Sequence, residues 1–548
     1  MSKPRSRYEF MKRKQSNSSA SLLKGAAALS IAVIVSKLIG TLQKIPLQNI
    51  GGDGVFGIYN TVYPFYTLMI TLAAAGIPTV VSKFVAERRA EGDEAGEMRV
   101  LSTASRAMLG FGAAGGTLMY LGAPLLAEWI GSSQLIPALR GAAPALLFVP
   151  LSAALRGFFQ GQKNMLPTAV SQVTEQVVRV AVMVGLLLYF TAQGAAESVV
   201  AGSALAGSAF GGAAGLFIML LYWRDYRKAG RRREDVSPAR SGTDRSLLRE
   251  MLRYGIPICL AALAVPLISL VDTFTLPRLL AFHGDELKVM TAVGVYNRGI
   301  PLVQLVTMLA TSLSMLYIPV MAELNAKGDQ EGITRHTGLA LRWFWLIGLA
   351  ASAGLAVLAE PINMMLYKDS IGSATFAWVA WSAAPGALAA ITAALLQGLG
   401  QVRAPAVHLL AAAVLKAALN VLLVPQHGMT GAAIAGIAAY GCAAALNLAL
   451  LLRRTGLRPR LADVLVRPAA AILAMMAAVL LLRLAAAASL PPGRLAALAE
   501  SLLGVLLGAA VFAAAAVRAR LITAAELGAL PRYGPKLVQT LRKLRLLR

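Results

Sequence analysis

Long apolar stretches separated by short polar segments run through this sequence from about Leu22 to Val517. A helix needs about 20 apolar residues to cross a hydrocarbon core about 30 Å thick. The pattern therefore predicts an all-α, polytopic membrane protein with fourteen transmembrane helices. We number these predicted helices spans 1–14; they cover approximately residues 22–47, 55–82, 104–127, 136–155, 167–190, 199–222, 253–277, 292–320, 340–359, 374–396, 405–425, 430–452, 466–486 and 498–517.

The basic residues alternate between the two sides of the predicted membrane. When basic residues in the outer turns of a span are counted with the adjoining loop, 41 of the 52 Lys and Arg residues fall on the side of the N-terminus and six on the other side. The remaining five are assigned to span interiors: Lys37, Lys44, Arg179, Arg298 and Lys416. Short cytoplasmic loops collect Lys and Arg, so both termini and the basic segment between spans 6 and 7 are predicted to be cytoplasmic. The formal net charge of +26 lies in these loops and tails, where it favours anionic membrane lipids over nucleic acid as partners.

The sequence contains no pattern that indicates catalysis or a bound metal. Cys259 and Cys442 both fall within spans, which argues against a disulfide framework. The four histidines are scattered without metal-ligand spacing. We find no nucleophile with a neighbouring base and no phosphate-binding loop, so we predict no enzyme activity, cofactor or metal. A coupling ion and the membrane potential both stay open as energy sources.

An internal repeat with an offset of 237 residues organises the chain. It relates span 2 to span 8 and span 4 to span 10, which run in the same direction, so the repeat is parallel and its axis follows the membrane normal. At this offset Gly57–Asn60 matches Gly294–Asn297, Pro64 matches Pro301, and Phe158–Gly161 matches Leu395–Gly398. Two further matches are one residue out of register: Glu91–Asp93 with Lys327–Asp329 at 236 and Pro167 with Pro405 at 238.

The repeat and the charge pattern together predict six segments. They are a disordered basic cytoplasmic tail (1–21), an N-terminal six-helix bundle (22–222), a basic cytoplasmic linker (223–252), a C-terminal six-helix bundle (253–452), two additional transmembrane helices (453–517) and a basic cytoplasmic tail (518–548).

Three basic residues within the spans are candidate ligands for an anionic substrate. Charged groups in hydrocarbon are costly and usually functional. Lys37 and Lys44 are seven residues apart on one stripe of span 1, which suits a water-filled cavity; for Lys44, snorkelling to the outer headgroups is the alternative. Arg298 follows Asn297 in span 8, and its guanidinium either grips phosphate oxygens in a bidentate fork or snorkels outward.

Other polar residues within the spans have structural or coupling roles as alternatives. Glu175 and Arg179 are one helical turn apart in span 5, where we expect an i, i+4 ion pair. Asp272 in span 7 is a candidate counter-ion. Lys416 and Asn420 share one face of span 11, and structural and functional roles are both open. The interior is therefore biased towards cations, which favours an anionic substrate.

Several motifs resemble the multidrug/oligosaccharidyl-lipid/polysaccharide exporter superfamily. Within it, the chain looks closest to the stage V sporulation protein B-like polysaccharide transporters of spore-forming Gram-positive bacteria, relatives of the MurJ-type lipid II flippases. The motifs are Ser36-Lys37-Leu38-Ile39-Gly40, Ile45-Pro46-Leu47-Gln48-Asn49-Ile50-Gly51-Gly52-Asp53, Ala75-Gly76-Ile77-Pro78, Val81-Ser82-Lys83-Phe84-Val85, Arg156-Gly157-Phe158-Phe159-Gln160-Gly161 and Pro167-Thr168-Ala169-Val170-Ser171-Gln172 running into Glu175-Gln176-Val177-Val178-Arg179.

The resemblance implies fourteen helices, a central cationic cavity, a lateral gate beside spans 1 and 8, and a groove at spans 13 and 14 for a lipid tail. Lys37 and Arg298 match two cavity arginines of the MurJ-type proteins. A second basic position in span 1 falls on Gln43, beside Lys44, and the arginine of span 2 falls on Thr67. These departures count against lipid II itself as the substrate.

The resulting prediction is a flippase that moves a polyprenyl-diphosphate-linked saccharide across the bacterial cytoplasmic membrane by alternating access, functioning as a monomer. The predicted substrate-binding residues are Lys37, Lys44, Arg298, Asp272 and Asn297. Three alternatives remain at this point: a drug or metabolite exporter of the same superfamily, a membrane-embedded glycosyltransferase, and a membrane scaffold without transport activity.

Overall fold

The computed structural model of the chain describes residues 29–74, 76–230, 245–281, 285–458, 460, 462–489, 491, 493–521, 526 and 539. Within them the chain is helical, with no β-strand, which confirms the all-α class. The predicted tail 1–21, residues 231–244 of the linker 223–252 and most of the tail 518–548 lie outside the described residues.

Twenty α-helices, numbered here in chain order, make up the described part of the chain. A 3-10 turn at Ser133–Leu135 precedes α6, and a π-helical turn at Ala462–Val466 precedes α19. The α-helices are α1 (29–42), α2 (Lys44–Ala74), α3 (Ile77–Ala90), α4 (Glu94–Leu121), α5 (Ala123–Ile130), α6 (Ile136–Ala142), α7 (Ala145–Gly161), α8 (Leu166–Ala192), α9 (Glu197–Gly230), α10 (Arg245–Leu280), α11 (Glu286–Asn297), α12 (Ile300–Ser314), α13 (Tyr317–Lys327), α14 (Gln330–Val357), α15 (Ala359–Tyr367), α16 (Ser373–Ala380), α17 (Ala383–Gly398), α18 (Arg403–Thr455), α19 (Arg467–Ser489) and α20 (Arg494–Arg518).

Ten helical segments of the described chain are long and apolar enough to cross a membrane, or eleven if α4 and α5, which are bent by 63°, count as one. Two of these segments contain two predicted spans each: Leu29–Ala90 covers spans 1 and 2, and α18 covers spans 11 and 12. They break at Gly52 (φ 80°) and Gly428 (φ 55°), a backbone conformation that glycine adopts without a steric penalty. A multi-pass membrane protein is thus confirmed, and the number fourteen stays a prediction.

The chain divides into two compact units, Met1–Thr291 and Ala292–Arg548. Helix α10, which contains span 7, belongs to the first unit. The hydroxyl of Thr273 on α10 donates to the carbonyl of Thr61 on α2 at 3.0 Å. The repeat instead predicts 253–452 as one bundle, and those bundle boundaries stay a prediction.

Each unit contains a pair of helices that approach closely at a repeated glycine. A Cβ placed on Gly161 of α7 would lie 2.8 Å from the carbonyl oxygen of Ser82 on α3. A Cβ placed on Gly398 of α17 would lie 2.8 Å from the carbonyl oxygen of Ile318 on α13. Only glycine permits either contact, so the repeated Gln-Gly pair of the sequence marks the same kind of helix packing in both units.

A second repeated motif forms the same turn twice. Gly92 (φ 74°) and Gly328 (φ 68°) both adopt the left-handed conformation. The aspartate that follows each glycine caps the next helix: Asp93 accepts from the Gly96 N–H at 2.7 Å, and Asp329 accepts from the Gly332 N–H at 2.8 Å. The repeat is therefore present in local structure, while the two-fold axis between the bundles stays a prediction.

Long-range polar contacts within each unit join segments that are predicted to lie on the same side of the membrane. In the first unit, the Ser133 N–H donates to Glu286 at 3.0 Å on the predicted outer side, and Gln162 donates to the Tyr226 hydroxyl at 2.8 Å on the inner side. The second unit has an outer contact from Arg483 to Glu360 at 2.6 Å and an inner contact from Gln330 to the carbonyl of Arg454 at 3.3 Å. The predicted alternation of loops agrees with these contacts.

Cysteine labelling tests which of the two sides is cytoplasmic. We expect a membrane-impermeant thiol reagent added to intact cells to label Gly284→Cys and to leave Ser241→Cys unlabelled, because the basic linker cannot be translocated easily. Both positions lie outside the described residues. After cell lysis both should be labelled. The reverse pattern in intact cells would show that the assigned orientation is inverted.

Candidate functional site

In the first unit, α1 and the start of α2 present the predicted basic residues. Lys37 is exposed on α1. Lys44, which begins α2, is 6% exposed, and we find no hydrogen bond or ion pair from it to any residue that the structure describes. A buried ammonium without an acidic partner carries a desolvation cost.

Arg179 of α8 is a second buried cation in the same unit. It is 7% exposed, and its Nε has no hydrogen-bond partner. Its guanidinium carbon lies 6.0 Å from the centre of the Tyr63 ring, within range of a cation–π interaction. A Cβ placed on Gly40 would be 3.4 Å from its Nη2 atom, so the guanidinium lies directly against α1.

The expected ion pair between Glu175 and Arg179 does not form. Glu175 instead accepts from Arg156 Nη2 at 2.7 Å, and both side chains are largely buried. Arg156 also donates to Ser171 Oγ at 2.8 Å, and that hydroxyl donates to the carbonyl of Gly215 on α9. The network links α7, α8 and α9 inside the first unit, and it leaves Arg179 without the acid that sequence spacing assigned to it.

Sequence reasoning missed Arg156 as an interior residue. The predicted end of span 4 at residue 155 puts Arg156 in a cytoplasmic loop, whereas α7 continues to Gly161 and Arg156 is 8% exposed. The motif Arg156-Gly157-Phe158-Phe159 is a signal that could have found it. Its apolar residues continue the helix beyond residue 155, so that Arg156 lies more than one helical turn before the end of α7.

Three tyrosines of α2 line the region beside Arg179. The rings of Tyr59 and Tyr63 stack with centroids 5.5 Å apart, and those of Tyr63 and Tyr66 are tilted at 5.9 Å. Gln43 Nε2 lies 3.5 Å from the Tyr59 hydroxyl. Aromatic faces, amides and a guanidinium are thus assembled where α1, α2 and α8 meet.

In the second unit, Arg298 lies between α11 and α12 and is 1% exposed. Its guanidinium binds Asp369 through both oxygens, with Nη1 at 2.5 Å from Oδ1 and Nη2 at 3.1 Å from Oδ2. Nη1 also donates to Asn363 Oδ1 at 3.3 Å and to the Ile371 carbonyl at 3.2 Å. Arg298 is therefore a fork that holds an anionic group, and in this structure the anionic group is the carboxylate of the loop between α15 and α16.

The backbone beside Arg298 is fixed by its neighbours. The Tyr367 hydroxyl donates to the Arg298 carbonyl at 2.9 Å, and its ring lies 5.4 Å from the guanidinium carbon. The Asn297 amide donates to the Val293 carbonyl at 2.8 Å, as the Asn60 amide donates to the Phe56 carbonyl at 2.7 Å in the first unit. Asn297 and Asn60 thus make the same hydrogen bond within their own helices. The prediction that Asn297 binds substrate rests on its position next to Arg298.

Asp369 lies outside the membrane-spanning helices, so its ionisation can be followed by pH. Burial raises the pKa of this carboxyl, but hydrogen bonds from Arg298 and from the Ile371 N–H, with the positive charge of Arg298, hold the pKa below its ordinary value. A depressed pKa in the folded state stabilises the protein above the unfolded pKa of about 3.9, and this contribution is lost as pH falls through the folded pKa.

We therefore expect Asp369→Asn to lower the melting temperature of the purified protein at neutral pH. The difference between wild type and variant should shrink as pH falls below about 4, where the carboxylate of the unfolded state becomes protonated, and should be lost once pH has fallen through the lower folded pKa. Asp285→Asn, a change in another outer loop, serves as a control. A difference between wild type and Asp369→Asn that stays constant down to pH 2 would show that the ion pair does not stabilise the folded protein.

The remaining predicted site residues are placed as follows. Asp272 of α10 is half-buried in the first unit. Lys416 and Asn420 of α18 are buried one turn apart in the second unit, 3% and 0% exposed. Among the residues that the structure describes, no group of three or more His, Cys, Asp or Glu side chains could hold a metal ion.

A family model for polysaccharide biosynthesis proteins matches residues 22–325 of the chain. A curated relative, an uncharacterized membrane protein of Bacillus subtilis (strain 168) called YabM, is 33% identical over 95% of this chain and 96% of its own length. The lipid II flippase MurJ of the same organism is 26% identical over 80% of this chain and 84% of its own length. The stage V sporulation protein B of the same organism is 26% identical over 75% of this chain and 80% of its own length.

Solved structures of transporters share the fold. The lipid II flippase MurJ in an inward closed conformation matches with a TM-score of 0.67 at 12% identity, over 90% of this chain and 99% of its own. An inward-facing multidrug resistance transporter of the MATE family matches with a TM-score of 0.64 at 16% identity, over 79% of this chain and 98% of its own. At these low sequence identities, the structural matches show a shared fold and not a shared substrate.

Proposed function

This chain belongs to the polysaccharide biosynthesis protein family of membrane transporters, and from that premise we propose that it moves a lipid-linked saccharide across the bacterial cytoplasmic membrane. Among the relatives, MurJ is a flippase and not an enzyme, which argues against the glycosyltransferase alternative. The substrate that we propose is a polyprenyl-diphosphate saccharide, whose head crosses inside the protein while the polyprenyl tail stays in lipid.

The observation that carries this proposal is the state of the interior cations. Lys44 and Arg179 are buried, and no acidic side chain in the described part of the chain pairs with either. Arg298 holds a carboxylate through both oxygens, the geometry in which a guanidinium also holds phosphate. An interior of this sign attracts a diphosphate and repels a cationic drug.

In the proposed mechanism, Lys37 and Arg298 bind the diphosphate and Lys44 assists. Asp272 holds a cation in position, and Asn297 contributes to substrate binding beside Arg298. The two six-helix bundles, 22–222 and 253–452, would alternate access by rocking about the axis of the repeat. Both termini would face the cytoplasm, anionic lipids would contact the basic loops, and the monomer would be sufficient.

A binding measurement with purified protein tests the proposal. We expect Lys37→Ala to weaken binding of a fluorescent polyprenyl-diphosphate disaccharide about 10- to 150-fold, because a charge-assisted hydrogen bond contributes about 1.5–3 kcal/mol. Lys327→Ala, which removes an exposed lysine paired with Glu323, is the control and should bind normally. Normal binding by Lys37→Ala would remove this residue from the site.

A cation exporter is the second candidate, because the structure of a multidrug transporter shares the fold. Such an exporter would bind an organic cation through acidic residues, of which Asp272 and Glu175 are the interior examples. Glu175 is already neutralised by Arg156. Binding of a cationic dye that depends on Asp272, with no binding of the diphosphate lipid, would favour this candidate. Absence of binding to either would favour the scaffold alternative.

A further inference from the structure

Five polar atoms on α8, on α1 and on the residue that follows α1 are buried without a hydrogen-bond partner among the described residues. They are Ser36 Oγ, Gln43 Oε1, Gln172 Oε1, Gln176 Oε1 and Arg179 Nε. Gln176 and Arg179 lie against α1 at Gly40, and we call the region formed by these five residues and Gly40 the α1–α8 seam.

The seam is built from matching faces of two helices. Ser36, Gly40 and Gln43 are spaced i, i+4 and i+7 along the chain, and so are Gln172, Gln176 and Arg179, which places each set on one helix face. The faces meet at Gly40, where an added Cβ would be 3.4 Å from Arg179 Nη2 and 3.7 Å from Gln176 Oε1. Gly40 thus lets Gln176 and Arg179 lie close to the backbone of α1, on the face that carries Ser36 and Gln43.

A closed seam of this kind is unfavourable. Buried polar groups in folded proteins almost always have partners, and each unpaired group carries a desolvation penalty that grows when it is charged. Arg179 is 7% exposed, and no ion pair to it exists among the described residues. Opening of the seam therefore lowers the free energy of the protein when a ligand then supplies hydrogen-bond partners to these polar groups.

The chemistry of the seam selects the ligand. A metal ion is repelled by Arg179. A simple anion suits Arg179 but leaves the amide oxygens of Gln43, Gln172 and Gln176 unpaired. A hydroxyl group both donates and accepts, as an amide does in either orientation, so a molecule with many hydroxyls can satisfy every group. The stacked rings of Tyr59 and Tyr63 beside Arg179 supply a flat apolar surface for the C–H face of a sugar ring.

We propose that the α1–α8 seam opens to bind the sugar head of the transported lipid, as a saccharide subsite separate from the diphosphate ligands. This inference depends on the proposed function, since it assigns part of the same substrate to these residues.

Two glutamine-to-leucine changes test the subsite. Gln172→Leu and Gln176→Leu remove unpaired polar groups while keeping nearly the same volume, so each should raise the melting temperature rather than lower it. The two probes are a heptaprenyl-diphosphate disaccharide and heptaprenyl diphosphate without sugar. In the double variant we expect the preference for the sugar-bearing lipid to fall about tenfold or more, while binding of the sugar-free lipid is unchanged.

Gln162→Leu is the matched control. Gln162 is also a glutamine of the first unit, but its amide is bonded to Glu97 and Tyr226. Its replacement should lower the melting temperature and leave the preference for sugar intact. Opposite signs of the stability change at the seam and at the control would show that the seam groups are unpaired in the folded protein.

The outcomes separate the subsite from the proposed function. If the double variant keeps the full preference for sugar, or weakens both lipids equally, the saccharide subsite is overturned while the flippase proposal stands. If wild-type protein binds neither lipid, the proposed function fails and the subsite fails with it.

Opening of the seam has its own measurement. In a protein with Cys259 and Cys442 replaced by alanine, Ser36→Cys should react with a small membrane-permeant thiol reagent, and the disaccharide lipid should slow this reaction at least fivefold more than the sugar-free lipid does. A Ser36→Cys thiol that never reacts in folded protein would show that the seam stays closed.

Discussion

Arg298→Glu is expected to abolish transport of a polyprenyl-diphosphate saccharide, and Arg298→Gln to reduce it about 10- to 150-fold. The glutamine removes a guanidinium that contributes about 1.5–3 kcal/mol through charge-assisted hydrogen bonds. The glutamate in addition repels the diphosphate in a site where water screens charge weakly. Asp272→Asn should be milder than either change, because it removes only a counter-charge. Transport into reconstituted vesicles is measured at matched protein levels.

Arg298→Glu also places an acid opposite Asp369, and that repulsion could unfold the loop between α15 and α16. The charge-swapped variant Arg298→Glu/Asp369→Arg separates the two effects. It restores an ion pair across the 2.5 Å contact and should recover the melting temperature. It should not recover transport, because the guanidinium then stands on the loop instead of between α11 and α12. Recovered transport in the charge-swapped variant would make Arg298 a structural residue.

A second large effect is expected at Arg156. Arg156→Met should destabilise the protein by about 3–5 kcal/mol, because it leaves Glu175 as a buried charge without its partner. Glu175→Gln should also destabilise the protein, because it leaves Arg156 as a buried charge without its acidic partner. The double variant Arg156→Met/Glu175→Leu should be more stable than Arg156→Met, because neither charge is then buried alone. Thermal unfolding of purified protein in detergent measures all three.

The surface pair Arg88–Glu91 provides the control for this experiment. Its side chains are 40% and 61% exposed, and breaking such a pair should cost less than about 1 kcal/mol. An Arg156→Met variant that unfolds at the same temperature as Arg88→Ala would show that the interior network contributes nothing to stability.

The sequence predicts well those features that depend on a single helix or turn. The helices and their apolar faces follow from residue type, and the repeated Gly-Asp turn at Gly92 and Gly328 follows from a motif that reads the same in both units. The family resemblance, based on short motifs in spans 1–5, is confirmed by the relatives. These features need no knowledge of how the helices pack against one another.

The partners of the charged residues could not be predicted in this way. Spacing along α8 favours a pair between Glu175 and Arg179, but Glu175 binds Arg156, 19 residues earlier on another helix. The partner of Arg298 is 71 residues away in a loop, and Lys368-Asp369 in that loop looks like ordinary solvent-exposed sequence. Helix packing decides these contacts, and the chain contains no local signal for them.

The direct test of the central claim is net translocation by wild-type protein in vesicles, with a fluorescent polyprenyl-diphosphate disaccharide and a cationic dye compared side by side. The account predicts that the protein accelerates movement of the disaccharide lipid across the membrane well above the rate in protein-free vesicles, and that it leaves the dye unaffected. Transport of the dye without transport of the disaccharide lipid would contradict the account.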